Sequence, residues 1–340
     1  MKKSILTLAG LALAVSSVTE LKAQEEVETL DVLPAVIVFK SGGAEQRRNV
    51  YLLSEKDGSI IYSLNVQGTT PERLNLSQLE EIGFVLPESV EKAYEVYASG
   101  NFKSALPLLE TEAAWLDALK GVPKSPYYDV RYKQIFAMQE TGDYDGALKL
   151  YEILDKTKLT PYQAGILATV PAWPIYKAKQ WDRLITVCEG LRQTVKDLPL
   201  AAEVRLSFLL AEAYSRNDSQ KALAEYHRAM TLDAGESAEI VAKAAIGALA
   251  IYDRDEQVKE FFRLRGRPEF LETAGYTIPA RAGGWVAKMI DTQQPAGTKL
   301  PKEFERFLEV YKMYDEEGAS EEKAPAEEAA PAETADAGAE

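Results

Sequence analysis

Five stretches of this chain share one spacing. In SGNFKSALPLLE (99–110), Gly100, Asn101 and Phe102 lead to Ala105 and, four residues on, to Leu109. TGDYDGALKLYEILDK (141–156) repeats the order with Gly142, Asp143, Tyr144, Ala147 and Tyr151. AKQWDRLITVCEGL offers Trp181, Leu184 and Cys188, NDSQKALAEYHRAM offers Ala222, Tyr226 and Ala229, and YDRDEQVKEFF offers Val258 and Phe262. From Ala105 through Ala147, Leu184, Ala222 and Val258 the steps are 42, 37, 38 and 36 residues. Positions four apart share one helix face, so a small residue lets a neighbouring helix cross closely while the larger one fills the groove beside it. The glycine gives a helix exit through positive φ. Recurrence near this period predicts helix pairs that stack into a solenoid. An irregular helical bundle carrying chance matches is the alternative.

These residues resemble the tetratricopeptide repeat (TPR), in which a first helix with a small residue and an aromatic turns through a Gly-Asp-Tyr type corner into a second helix. The fourth stretch, LLAEAYSRNDSQKALAEYHRAM, follows the pattern with Ala211, Tyr214, Ala222, Tyr226 and Ala229, its turn one residue short. Other copies depart from it. Ile135 stands where the second copy should be small, Pro171 and Pro174 interrupt the first helix of the third, and Lys179 replaces its turn glycine. The resemblance covers about residues 90–265 and implies a mainly α chain: a TPR-like α-solenoid of antiparallel helix pairs, preceded by a small antiparallel β module. It assigns repeat packing to Gly142, Tyr144, Ala147, Tyr151, Ala211, Tyr214, Ala222, Tyr226 and Ala229. It also implies a concave face lined by the first helices. On the cleaner copies that face selects Asp129, Tyr132, Phe136, Gln139 and Glu140, then Arg205, Phe208, Glu212, Ser215 and Arg216, a mixture suited to an extended peptide. For Tyr132 and Phe136, packing between repeats is an equal expectation.

Four regions follow. Residues 1–23 read as a secretory signal peptide: Lys2 and Lys3, an apolar run from Ile5 to Val15, then small residues to Ala23. That run is too short to span a bilayer, no later stretch is long enough, and a retained anchor is the alternative. Residues 33–86 read as a small β module, with strands AVIVFK, NVYLLSE and SIIYSLNV separated by Ser41-Gly42-Gly43, Lys56-Asp57-Gly58 and Gly68-Thr69-Thr70-Pro71. Asp57-Gly58 marks a tight hairpin. LNLSQLEEIGFVLP closes the module as a helical turn plus strand or as one last strand, and the module serves as a cap or as a second contact surface. Residues 87–314 read as the helical repeat domain, ending in PKEFERFLEVYKMY, where Phe304, Phe307, Leu308, Tyr311 and Tyr314 share a face that caps the open end. Residues 315–340, rich in Ala, Glu and Pro, read as a disordered acidic tail.

Charge and the scarcity of reactive side chains narrow the function. Of the net −14, the segment from Asp315 onward carries −9 (ten acidic residues against Lys323), which leaves −5 for the rest. A mildly acidic body lacks the electrostatic footprint of a nucleic-acid binder. Cys188 and His227 are each the only residue of their kind, so no paired-ligand metal motif is present and no cofactor is expected. No Gly-rich phosphate loop and no G-x-S-x-G elbow occurs. Paired carboxylates such as Glu80-Glu81 or Asp253 with Asp255 are the only acid–base candidates, and in a chain with 53 acidic residues they read first as solvated faces. The expectation is a non-enzymatic, exported scaffold of the bacterial periplasm or cell envelope that binds protein or peptide partners. The alternative is a glycan-binding or glycan-processing helical protein using Trp115, Trp173, Trp181 or Trp285.

Overall fold

The computed structural model describes residues 32–195, 197–232, 237–272 and 274–321. The signal-peptide expectation (1–23) and the tail beyond Glu321 lie outside the described residues. Two compact units are present, one ending at Val85 and the other beginning at Leu86.

The first unit is a five-stranded antiparallel sheet. Its strands are β1 (Leu33–Ser41), β2 (Ala44–Lys56), β3 (Ser59–Ser63), β4 (Glu72–Asn75) and β5 (Leu79–Phe84), in the order β4-β3-β2-β1-β5. Strict alternation sets the faces: Leu33, Ala35, Ile37 and Phe39 of β1 are buried, and the residues between them are partly exposed. Both hairpin corners are two residues long with positive φ at each position: Gly42 and Gly43 at 61° and 84°, Asp57 and Gly58 at 50° and 70°. That backbone matches the right-handed twist of the flanking strands. Closure uses both elements that LNLSQLEEIGFVLP left open. Asn75 accepts a hydrogen bond from the Ser77 amide (2.9 Å) to start a 3-10 turn over Leu76–Gln78, and β5 then pairs with β1 on the far edge. Strand β2 begins at Ala44, earlier than the run NVYLLSE suggests, because its polar first half pairs with β1 (Arg47 opposite Val38).

The second unit is helical. Its helices are α1 (Glu88–Ala98), α2 (Phe102–Leu116), α3 (Tyr127–Glu140), α4 (Tyr144–Ile153), α5 (Pro161–Leu167), α6 (Ala172–Lys177) and α7 (Trp181–Thr194). There follow α8 (Leu200–Tyr214), α9 (Ser219–Leu232), α10 (Ala238–Arg254), α11 (Glu256–Leu264), α12 (Ala274–Gln293) and α13 (Glu305–Glu321). Helices pack mainly against their neighbours in sequence, with α8 also meeting α10 and α10 meeting α12. Pro171 occupies the N-cap of α6, which is why the helix expected there is split into α5 and α6. Helix α13 runs to Glu321 instead of ending at Tyr314. Glu and Ala continue a helix readily, so the first residues assigned to a disordered tail are helical.

The recurring corners share parts of one chemistry. Gly100 and Gly142 end their helices at φ of 77° and 83°. The next residue caps the following helix: Asn101 accepts from the Ser104 amide (3.2 Å) and Asp143 from the Gly146 amide (3.0 Å). Asp218 (from the Lys221 amide, 3.0 Å) and Asp255 (from the Gln257 amide, 2.7 Å) do the same without a preceding glycine. At the third corner Lys179 takes the glycine's place at φ 55°, at the expense of backbone strain, and Gln180 at the N-cap of α7 makes no side-chain capping hydrogen bond.

The small residues face inward as the spacing requires. Ala105, Ala147, Leu184, Ala222 and Val258 are all fully buried, as are Ala211 and Ala229. Beyond the motif, Gly247 of α10 receives the ring of Tyr226, which lies so close that a β-carbon there would stand 2.4 Å from Cζ. Gly283 of α12 receives Phe307 in the same way.

Candidate functional site

Helix α3 places Tyr132, Phe136 and Glu140 at four-residue intervals on one stripe. That stripe forms a wall of a cavity of about 770 Å³. The turn Tyr97–Gly100 and Phe102 supply a second wall, Tyr162 of α5 a third, and Ser237, Ala238 and Glu239 at the start of α10 a fourth, with Ala296 completing it. Tyr97, Phe102 and Phe136 meet edge to face, with ring centroids 5.4, 5.9 and 5.8 Å apart. Such pairs add rigidity beyond the area they bury.

A buried ion pair backs this wall. Arg205 reaches from α8 to Glu140, donating to Oε1 at 2.5 Å, and its guanidinium lies 4.4 Å from the centre of the Phe136 ring. The side chains of Arg205 and Glu140 are 1% and 9% exposed. Nε and Nη1 of Arg205 and the hydroxyl of Ser237 have no hydrogen-bond partner among the described residues. Burial pushes the Tyr97 hydroxyl well above its ordinary pKa; nearby Tyr132 adds to this and Arg205 offsets part of it. Among the described residues two carboxylates and no Lys or Arg line the cavity. Glu239 Oε1 is bridged by Lys243, one turn along the same helix (2.7 Å).

The residues expected on a concave face divide three ways. Tyr132, Phe136 and Glu140 line the cavity together. Arg205, Phe208 and Gln139 are buried, which corrects their assignment to an open peptide-binding face: Arg205 holds Glu140, Phe208 packs on Trp173 and Tyr176, and Gln139 lies in the interior with neither amide atom hydrogen-bonded among the described residues. The remainder have local roles. Asp129 accepts from Lys133 (2.7 Å) and Gln163 (2.9 Å), Glu212 accepts from the Tyr226 hydroxyl (2.6 Å), and the Ser215 hydroxyl donates to the Glu212 carbonyl (2.8 Å). Arg216 is exposed and covers the Trp181 ring at 5.0 Å, beside Lys179 and Arg183 around a second, shallower hollow. Of the packing set, Tyr144 stacks on Trp173 (5.2 Å), Tyr214 donates to Glu189 (2.6 Å), and the half-buried Tyr151 carries Lys156 over its ring (4.3 Å).

Phe102 is visible in the sequence as a corner aromatic, but no sequence signal marks Tyr97, Tyr162, Ser237 or Glu239. They come from three segments up to about 140 residues apart, and no spacing rule joins them. Among the four tryptophans, Trp173 is buried, Trp115 donates to Glu112 (2.7 Å), Trp181 lies under Arg216, and Trp285 is 60% exposed; none lines this cavity.

The reactive side chains lie elsewhere. Cys188 is buried and its thiol is pushed up to about 12 by that burial. His227 is hydrogen-bonded with the Tyr252 hydroxyl (2.8 Å), and burial lowers its pKa. Among the described residues no group of three or more His, Cys, Asp or Glu side chains converges as metal ligands would, and no helix is long and apolar enough to cross a membrane. Comparison with models of known protein families and with curated proteins yields no match.

Proposed function

We propose that the helical unit is a TPR-like solenoid and that the protein is a non-enzymatic, exported scaffold of the cell envelope, holding a segment of another protein in the cavity beside α3. The observation that carries this reading is a recurring aromatic triad. Tyr97, the corner aromatic Phe102 and Phe136 of the next first helix meet at the cavity. Tyr176, the corner aromatic Trp181 and Phe208 occupy the corresponding places further along, with Tyr176 6.1 and 6.0 Å from the other two rings. In both triads the first aromatic precedes the corner aromatic by five residues. A chance bundle has no reason to repeat such a contact between successive hairpins, whereas stacked copies of one unit do. The first triad presents rigid ring faces and flanking carboxylates to a cavity, the kind of surface that anchors an extended chain.

Ala98, the exposed last residue of α1, lines the cavity. Ala98→Trp places an indole in that lining from an exposed position. Affinity purification from envelope extract, with mass-spectrometric identification, is expected to recover protein partners with the native chain and to lose them with Ala98→Trp. Equal recovery from both proteins rejects the cavity as the docking surface.

A further inference from the structure

We infer that the cavity selects a Lys or Arg side chain of the docked segment, an inference that rests on the peptide-binding reading above. Among the described residues Glu140 and Glu239 both line it and no basic side chain does. Glu140 accepts from Arg205 through Oε1 at 2.5 Å and Glu239 pairs with Lys243 at 2.7 Å, and a carboxylate has lone pairs for more than one such donor. An anionic group entering here would meet two carboxylates, whereas an ammonium or guanidinium finds acceptors on two sides.

The aromatic wall points the same way. Ring faces attract cations through their quadrupole, more strongly as water is excluded. Two rings of this wall already carry the protein's own cations, Arg205 over Phe136 at 4.4 Å and Lys133 at 5.8 Å from Tyr97, so an incoming cation meets the wall at Tyr162 near the mouth. Tyr162 is 41% exposed at the mouth, where it can cover the methylene stem of a long basic side chain. Chemistry of this kind distinguishes Lys or Arg from an apolar side chain of the same length, because only the cation uses both the rings and the carboxylates.

The test uses the full chain and fluorescein-labelled nonapeptide pools, each with one fixed central residue and randomised neighbours, read by fluorescence polarisation. Lys and Arg pools are expected to bind about tenfold tighter than the norleucine pool, with the Glu pool weakest. Tyr162→Ala should weaken the Lys pool about twofold to fivefold, the range of a cation–π contact at an exposed site. Glu239→Gln, at a half-exposed position that leaves the Arg205–Glu140 pair intact, should narrow the gap between Lys and norleucine. If norleucine binds as tightly as Lys, the cation preference is overturned while the peptide-binding reading stands. If no pool binds the native chain more tightly than it binds Ala98→Trp, that reading fails and the inference falls with it.

Discussion

Gly247→Ala offers a sharp perturbation of the helix stacking. In isolation the change favours the folded state, because alanine is the better helix former by about 1 kcal/mol. Here a β-carbon would lie 2.4 Å from Cζ, 2.6 Å from Oη and 2.7 Å from Cε1 of Tyr226. Carbon atoms pack at about 3.5–4.0 Å, so the ring must retreat by roughly 1 Å. It has nowhere to go: Tyr226 is 2% exposed, and its hydroxyl is held by Glu212 at 2.6 Å. Overpacking costs about 1–3 kcal/mol and loss of a hydrogen bond to a carboxylate about 1.5–3 kcal/mol. Set against the helix-propensity gain, the net destabilisation is about 1.5–5 kcal/mol. Urea unfolding followed by circular dichroism reads it directly. In a Tyr226→Ala background the notch is empty, and there Gly247→Ala should stabilise by about 1 kcal/mol. If Gly247→Ala stabilises the native chain by that amount, α9 and α10 do not cross at this notch and the packing described above is wrong.

Glu140→Ala should cost about 3–5 kcal/mol, since it strands the buried Arg205 guanidinium, while Glu140→Leu combined with Arg205→Met should cost far less; thermal melts compare the two. For His227 the folded pKa lies below the ordinary 6.5, so on acidification the unfolded chain binds a proton that the folded chain refuses. Stability is then complete above pH 6.5 and falls as pH drops from there until the folded imidazole also titrates, by at most about 1.4 kcal/mol per pH unit; denaturation midpoints across that window should lose the slope in His227→Gln. Cys188, fully buried and with its thiol pushed up to about 12, should be silent to a thiol reagent until urea unfolds the chain, and a stoichiometric reaction in the native state would contradict its placement.

The recurring corners were legible because each encodes a local demand. Positive φ calls for Gly100 and Gly142, an N-cap calls for Asn101, Asp143, Asp218 or Asp255, and a close crossing calls for Ala105, Ala147 and Ala222. Both β corners were legible for the same reason. What the sequence hid is set by distance. Facing of the first helices is hidden at Gln139, Arg205 and Phe208 because α3 has eight of its fourteen residues covered and α8 eleven of its fifteen, so no polar stripe marks an open face. Arg205 reads as a surface residue until Glu140, 65 positions away, is brought against it. The notch at Gly247 lies on α10, outside the motif, and only the position of Tyr226 gives it meaning.

The central claim is that a protein segment occupies the cavity bounded by Tyr97, Tyr132, Phe136 and Tyr162. The most direct measurement replaces Tyr162 with the photo-cross-linker p-benzoyl-L-phenylalanine and irradiates intact cells, with Ile153, 79% exposed and outside the cavity lining, as the control position. The account predicts discrete protein adducts from position 162 that vanish when Ala98→Trp is added, and none of the same adducts from 153. Adducts that form equally from both positions, or that persist with the cavity filled, would contradict it.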